Sequence, residues 1–236
     1  MVYQGTLGRL SLDRLESIIS PQIGQISREI GQKMKKGLKM LSQVVATLIL
    51  APEFFSYWIR SRWFGRDRAL EGSTQTLSLI PGLVGQIFRR AFLTQVLDFC
   101  HAESTVEFGT IFSKAGTRIE ENVYIGPHCH IGWVHIERDV LIAAGVHIPS
   151  GPMTHGTADP AKRIQDQSGL LQQIRIGAGT WIGSGAVIMA DVGCDSVIGA
   201  GAVVTKPIPG RVLAAGVPAR VLRNREPASL PEDIAS

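Results

Sequence analysis

From about Val106 onward the chain keeps a six-residue beat. Aliphatic residues fall at Ile119, Ile125 and Ile131, then Ile136, Ile142 and Ile148, then Ile176, Ile182 and Ile188, then Val192, Ile198 and Val204. Steps inside each group are six residues; the joins take up five, a long polar insertion, and four. Groups of three hexapeptides predict a three-sided coil of short parallel strands with the aliphatic side chains inside. The next position is often glycine, as at Gly126, Gly132, Gly177, Gly183, Gly193 and Gly199, and is assigned to tight corners. The fifth position is small or β-branched (Val123, Cys129, Val140, Val146, Thr180, Ala186, Ser196, Ala202), which suits a crowded edge, so Cys129 reads as a packing residue.

Ahead of the repeat the period is helical. Ser20-Pro21 reads as an N-cap and first helical position, and Ile19, Ile23, Ile26, Ile30, Met34, Leu38 and Leu41 follow at steps of three and four. A mostly apolar stretch from Met40 to Ile59 comes next, long enough to reach across a bilayer, although Gln43, Pro52 and Glu53 are costly at its centre.

Charge sharpens that picture. The chain carries +4, but residues 28–68 hold nine Lys/Arg against three acids, so that segment is +6 and the rest −2. With apolar residues between the charges, the patch points to an anionic membrane surface and away from nucleic acid. Basic residues on both flanks suit a segment that dips at Pro52 or lies in the interface better than one that crosses, with Trp58 and Trp63 as interfacial anchors. A core helix kinked at proline is the alternative. Three cysteines at no metal-like spacing and no secretory h-region at the N-terminus place the chain in a reducing, cytoplasmic compartment, peripheral or re-entrant on the inner face of the membrane.

The repeat, and above all "TWIGSGAVIMADVGCDSVIGAGAVVTKPIPGRVLAAGVPARVL", resembles the hexapeptide-repeat acyltransferases. The likeness runs over residues 104–222 and is nearest to the maltose and galactoside O-acetyltransferases and those of capsule and exopolysaccharide clusters. It implies an all-β, left-handed parallel β-helix preceded by an α-helical segment. The organisation expected is a helical region at 1–100 with its basic, apolar part at 33–68, a β-helix at 101–222 with a loop at 149–175, and a tail at 223–236.

The resemblance also implies a homotrimer using acetyl-CoA as co-substrate, with no metal. His155, in "THGTADPAKR", matches the family's general base. An imidazole there would take the proton of a sugar hydroxyl as it attacks the thioester. Gly183, Ser184, Gly201 and Ala202 match positions that face the pantetheine arm, and Lys206 and Arg220 would meet the phosphates. His147, Asp159, Arg163 and Trp181 are the candidates for the acceptor. The first hundred residues replace the sugar enzymes' short helical cap, and "IMADVGCDS" stands in place of an extra rung, which turns the acceptor away from a small soluble sugar. If the apolar segment touches membrane, a lipid-linked saccharide in envelope or polysaccharide synthesis is the natural acceptor. Two other readings stay open: a non-catalytic scaffold, and a γ-carbonic-anhydrase-like zinc enzyme using histidines of "PHCHIGWVH" (His128, His130, His135).

Overall fold

The computed structural model describes residue 37 and residues 39–225. The amphipathic pattern from Ile19 falls almost wholly outside them, as does the tail beyond Arg225. The chain divides into two units, Met1–Val45 and Ala46–Ser236.

Helices come first: α1 (Lys39–Ile49), α2 (Ala51–Phe64), α3 (Arg66–Ser78) and α4 (Gly82–Val96). Among the described residues sixteen short strands follow, and they lie in three sheets as the six-residue beat requires. The first sheet stacks β1 (Phe99–Cys100), β4 (Arg118–Ile119), β7 (Val134–Ile136) and β10 (Ile174–Ile176). The second stacks β2 (Thr105–Val106), β5 (Tyr124–Ile125), β8 (Leu141–Ile142), β11 (Trp181–Ile182), β13 (Val197–Ile198), β15 (Val212–Ala215) and β16 (Arg220–Asn224). The third stacks β3 (Ile111–Phe112), β6 (His130–Ile131), β9 (His147–Ile148), β12 (Val187–Ile188) and β14 (Val203–Val204). Pairing is parallel except at β15–β16, giving about six turns of a β-helix of the left-handed class.

The core is the predicted one: Ile119, Ile125, Ile131, Ile136, Ile142, Ile148, Ile176, Ile182, Ile188 and Ile198 are fully buried. All eight fifth-position residues are also buried. Where that residue is polar it bridges coils, as when the Thr180 hydroxyl donates to the Gly193 carbonyl at 2.9 Å and that of Ser196 to Pro209 at 2.9 Å. The coil extends the beat at both ends: Cys100, Val106 and Phe112 at the start, and Ile208 and Ala214 at the end, also point inward.

The role given to the recurrent glycine needs correction. The left-handed backbone sits one residue before the fifth position, at Asn122, His128, Asp139, Asp195 and Arg211 as well as at Gly145, Gly179, Gly185 and Gly201. The glycine after the aliphatic residue instead permits contact between coils. A Cβ on Gly183 would lie 2.5 Å from the Ala200 nitrogen.

Helices close one end of the coil. The Thr74 hydroxyl donates to the Phe112 carbonyl at 3.3 Å and accepts from the Phe112 N–H at 3.2 Å, taking the place of a preceding strand. Buried Arg89 donates to the Val106 carbonyl at 2.9 Å and to the carbonyls of Leu77 and Ile80 at the end of α3. Asp67 accepts from Lys114 Nζ and from the Ala115 N–H, each at 2.9 Å. Burial pushes the Asp67 carboxyl up, but these two donors win and hold it below the usual range. At the far end β16 turns back antiparallel on β15.

Candidate active site

The chain leaves the coil after Ile148 and returns at Ile174, which pairs with Val134 one turn earlier. What holds the return in register is Glu137. Its carboxylate accepts from Arg175 Nε at 2.6 Å and from the Ala178 N–H at 2.9 Å. Burial raises the Glu137 pKa, and the Arg175 and Ala178 hydrogen bonds more than reverse this, leaving it below the ordinary carboxylate range.

The extruded segment is a braced arm. Its two limbs lie side by side, with the Leu170 N–H donating to the Met153 carbonyl at 2.7 Å and the Gln172 N–H to the Ser150 carbonyl at 2.9 Å. At the tip Ile164–Asp166 form a single 3-10 turn. Gln167 ties the tip together, donating to the Asp159 carbonyl at 2.8 Å and accepting from the Asp159 N–H at 3.0 Å.

His155 stands on the outgoing limb, exposed, and it lines an open cleft of about 430 Å³ with Arg163, Ile164 and Gln165. Gly169 sets its position: a Cβ there would come within 2.1 Å of the Thr154 carbonyl oxygen and 2.7 Å of the His155 nitrogen. Sequence reasoning missed Gly169, Glu137 and Gln167, since each acts across the loop rather than along it. Of the two loop residues assigned to the acceptor, Arg163 lines the cleft while pairing with Asp166 at 2.7 Å. Asp159 braces the tip, accepting from the Ala161 N–H at 3.0 Å and facing Lys162 at 3.3 Å.

The remaining candidates lie on the coil. His147 is on the third sheet beside His130, ring centroids 6.2 Å apart. His135 is on the first sheet, paired with Glu120 at 2.9 Å, and His128 turns a corner against Phe108. The three histidines of the zinc reading are thus spread over two sheets and a corner. Trp181 points outward from the second sheet, half exposed, in register with Leu141 and Val197.

Gly183, Ser184 and Gly201 meet at the corner between the second and third sheets, where the Gly201 N–H donates to the Ser184 carbonyl at 2.8 Å. With Ala144 and Ala200 they form a stack of small residues, and a Cβ on Gly185 or Gly201 would meet nothing within 4 Å. A narrow arm can therefore lie close along this corner. Ala202 belongs to the stack by backbone only, because its side chain is fully buried. Lys206 is exposed where the chain leaves the third sheet at the opposite corner, and exposed Arg220 opens β16 opposite Ala215.

The family model described as Bacterial transferase hexapeptide (six repeats) matches residues 116–150, and that for the Hexapeptide repeat of succinyl-transferase matches 173–206. The chain is 30% identical to the galactoside O-acetyltransferase of Escherichia coli K12 over 166 residues, covering 61% of this chain and 82% of that one. It is 28% identical to the putative lipopolysaccharide biosynthesis O-acetyl transferase WbbJ of the same organism, covering 51% and 72%. A maltose O-acetyltransferase structure from Clostridium difficile 630 superposes with a TM-score of 0.58 at 23% identity, covering 68% of this chain and 89% of that one, which shows the shared fold. The coil, its interrupting arm and these relatives together place the chain in the hexapeptide-repeat acetyltransferase family, and it is an acyltransferase.

Proposed function

We propose that this acyltransferase moves an acetyl group from acetyl-CoA to a saccharide hydroxyl, with His155 as general base. The observation that carries the reading is the arm, which holds His155 in an open cleft where the coil is interrupted. The acceptor class comes from the relatives, whose names specify galactoside and lipopolysaccharide synthesis. In the step, the hydroxyl oxygen bonds to the thioester carbonyl carbon and His155 takes the hydroxyl proton. The C–S bond then breaks, and that proton passes to the departing sulfur to give the O-acetyl ester and the CoA thiol. The corner at Ser184 and Gly201 would carry the pantetheine arm along the stack of small residues.

The cleft at His155 is open in a single copy, and we assign its remaining wall to a neighbouring copy in a trimer. Supporting this, Tyr124, Leu141 and Trp181 form an outward row on the second sheet, 37%, 45% and 51% exposed and in register. The first sheet instead turns Arg118, His135 and Arg175 outward.

Thiol release from acetyl-CoA, followed against galactosides, nucleotide sugars and lipid-linked saccharides, tests the chemistry. His155→Ala should lower kcat by at least about a hundredfold while leaving CoA binding intact. Equal turnover by the variant would remove His155 from the reaction. Trp181→Glu should reduce the solution mass to that of one chain, and an unchanged mass would remove the second sheet as the contact.

A further inference from the structure

We propose that α1 and α2 dock this chain on an anionic lipid bilayer. The starting observation is a surface that a water-soluble fold has no use for. Leu48, Ile49, Phe55, Trp58, Trp63 and Phe64 are each more than half exposed, and α2 has no buried residue. Isolated exposed apolar side chains are ordinary, but this many on two consecutive helices mark a contact surface.

The helix has two sides. Phe54 and Tyr57 seat one of them against Phe92 of α4, at centroid distances of 5.4 and 5.6 Å. At 100° per residue, Phe55, Trp58, Ile59, Arg62 and Trp63 share the other. Glu53, the acid that the sequence set against a membrane, is paired with Arg60 at 2.7 Å, and Arg60 also donates to Ser73 of α3. Its charge is therefore turned toward the protein and compensated there.

The bend and the basic residues on both flanks favour docking over crossing. No single helix among the described residues is long and apolar enough to span a membrane, whereas Lys39–Ile49 and Ala51–Phe64 pass together across a 60° bend, with Pro52 in the first turn of α2. At 1.5 Å per residue α2 reaches about 21 Å, short of a hydrocarbon core of about 30 Å. Helices of this kind lie in the headgroup region or dip and return.

Charge identifies the occupant. Arg62 and Arg68 are exposed and take part in no ion pair among the described residues. Arg68 lines an open cleft of about 310 Å³ with Arg60, Phe64 and Ala69, wide enough for a phosphate headgroup. Tryptophan beside arginine is the composition of a membrane interface. A second copy of the chain is disfavoured, because facing surfaces would bring these unpaired arginines together.

The test uses the full chain and vesicles of phosphatidylcholine with and without phosphatidylglycerol, at low and high salt, read by sedimentation and by tryptophan emission. The wild type should pellet with the anionic vesicles at low salt, with a blue-shifted emission, and be released as salt rises. Arg62→Glu with Arg68→Glu should weaken binding by at least about tenfold. Trp58→Glu with Trp63→Glu should abolish it, without unfolding because both rings are exposed. Wild-type protein that stays in the supernatant at low salt, or variants that bind as well as it does, would overturn the proposal. So would tryptophan variants that abolish a lipid-free self-association in a wild type that never pellets, since the occupant would then be a second copy. His155→Ala should bind vesicles normally, so failure of docking and failure of the acyl-transfer reading are told apart.

Discussion

Two glycines two residues apart separate the physical demands of the coil. Gly183 follows the inward Ile182, and a Cβ on it would meet backbone on three sides, at 2.5 Å from the Ala200 nitrogen and 2.8 Å from both the Gly199 carbonyl carbon and the Ile198 oxygen. Backbone cannot rotate away as a side chain can, so the coils must part. Overpacking a well-packed interior costs about 1–3 kcal/mol, and collision with two peptide groups places Gly183→Ala near the top of that range. Gly185 is the opposite case, with open space around it but φ +68. Alanine there meets a left-handed backbone costing about 1–2 kcal/mol, offset by about 0.4–1 kcal/mol from the stiffer unfolded chain. For a chain of this length each kcal/mol moves the melting point by about 2–4 °C. Gly183→Ala should therefore melt about 6–12 °C below wild type and Gly185→Ala within about 6 °C of it. Calorimetry at matched protein concentration is the assay, because association makes melting points depend on concentration. If Gly185→Ala proves the worse of the two, the assignment of the post-aliphatic glycine to contact between coils is wrong.

Other consequences can be measured more briefly. Glu137→Gln should cost about 1 kcal/mol at neutral pH, discounted for the exposed Arg175, in urea unfolding. Because the folded-state pKa of Glu137 is lowered, its contribution is complete above the ordinary glutamate range and is lost as pH falls through the lower folded value; wild type and variant should converge in acid. A thiol reagent should label the native protein at exposed Cys194 and reach Cys100 and Cys129 only after denaturation, since both are buried and burial pushes the Cys100 thiol up to about 11. Three labels on the folded chain would contradict that. Gly169→Ala should cut kcat by about tenfold or more through displacement of His155 while shifting the melting point little, because the arm lies outside the coil; an unchanged kcat would show that the limb contact does not position the imidazole.

The coil was legible because its cause is periodic: each inward side chain recurs once per face, and Ile142 or Ile188 cannot move off the beat without facing water. The inward residues of the first coil were less legible for a related reason. Its open side meets helices rather than another coil, so Cys100, Val106 and Phe112 answer to α3 and α4 instead of to the repeat. The glycine roles were misassigned although a signal was present. Asn122, Asp139 and Asp195 each precede a fifth-position residue, and Asn and Asp are the side chains that tolerate a left-handed backbone. His155 was singled out because it matches the family's general base in the loop that interrupts the beat, and the contacts around it were not legible. Gly169 meets it from the other limb, and nothing in the local sequence records which limb lies opposite which.

The two closures of the coil carry a consequence for the molecule as material. A stack of parallel strands has no intrinsic stopping point, and each terminal rung presents unpaired N–H and C=O groups that would template the next chain. Thr74 and Arg89 consume those groups at one end, and at the other β16 reverses direction. They act as terminators of a one-dimensional polymer. A fragment beginning at β1 would keep most of the core and lose the terminator, exchanging a discrete enzyme for a monomer able to add to its own kind end to end.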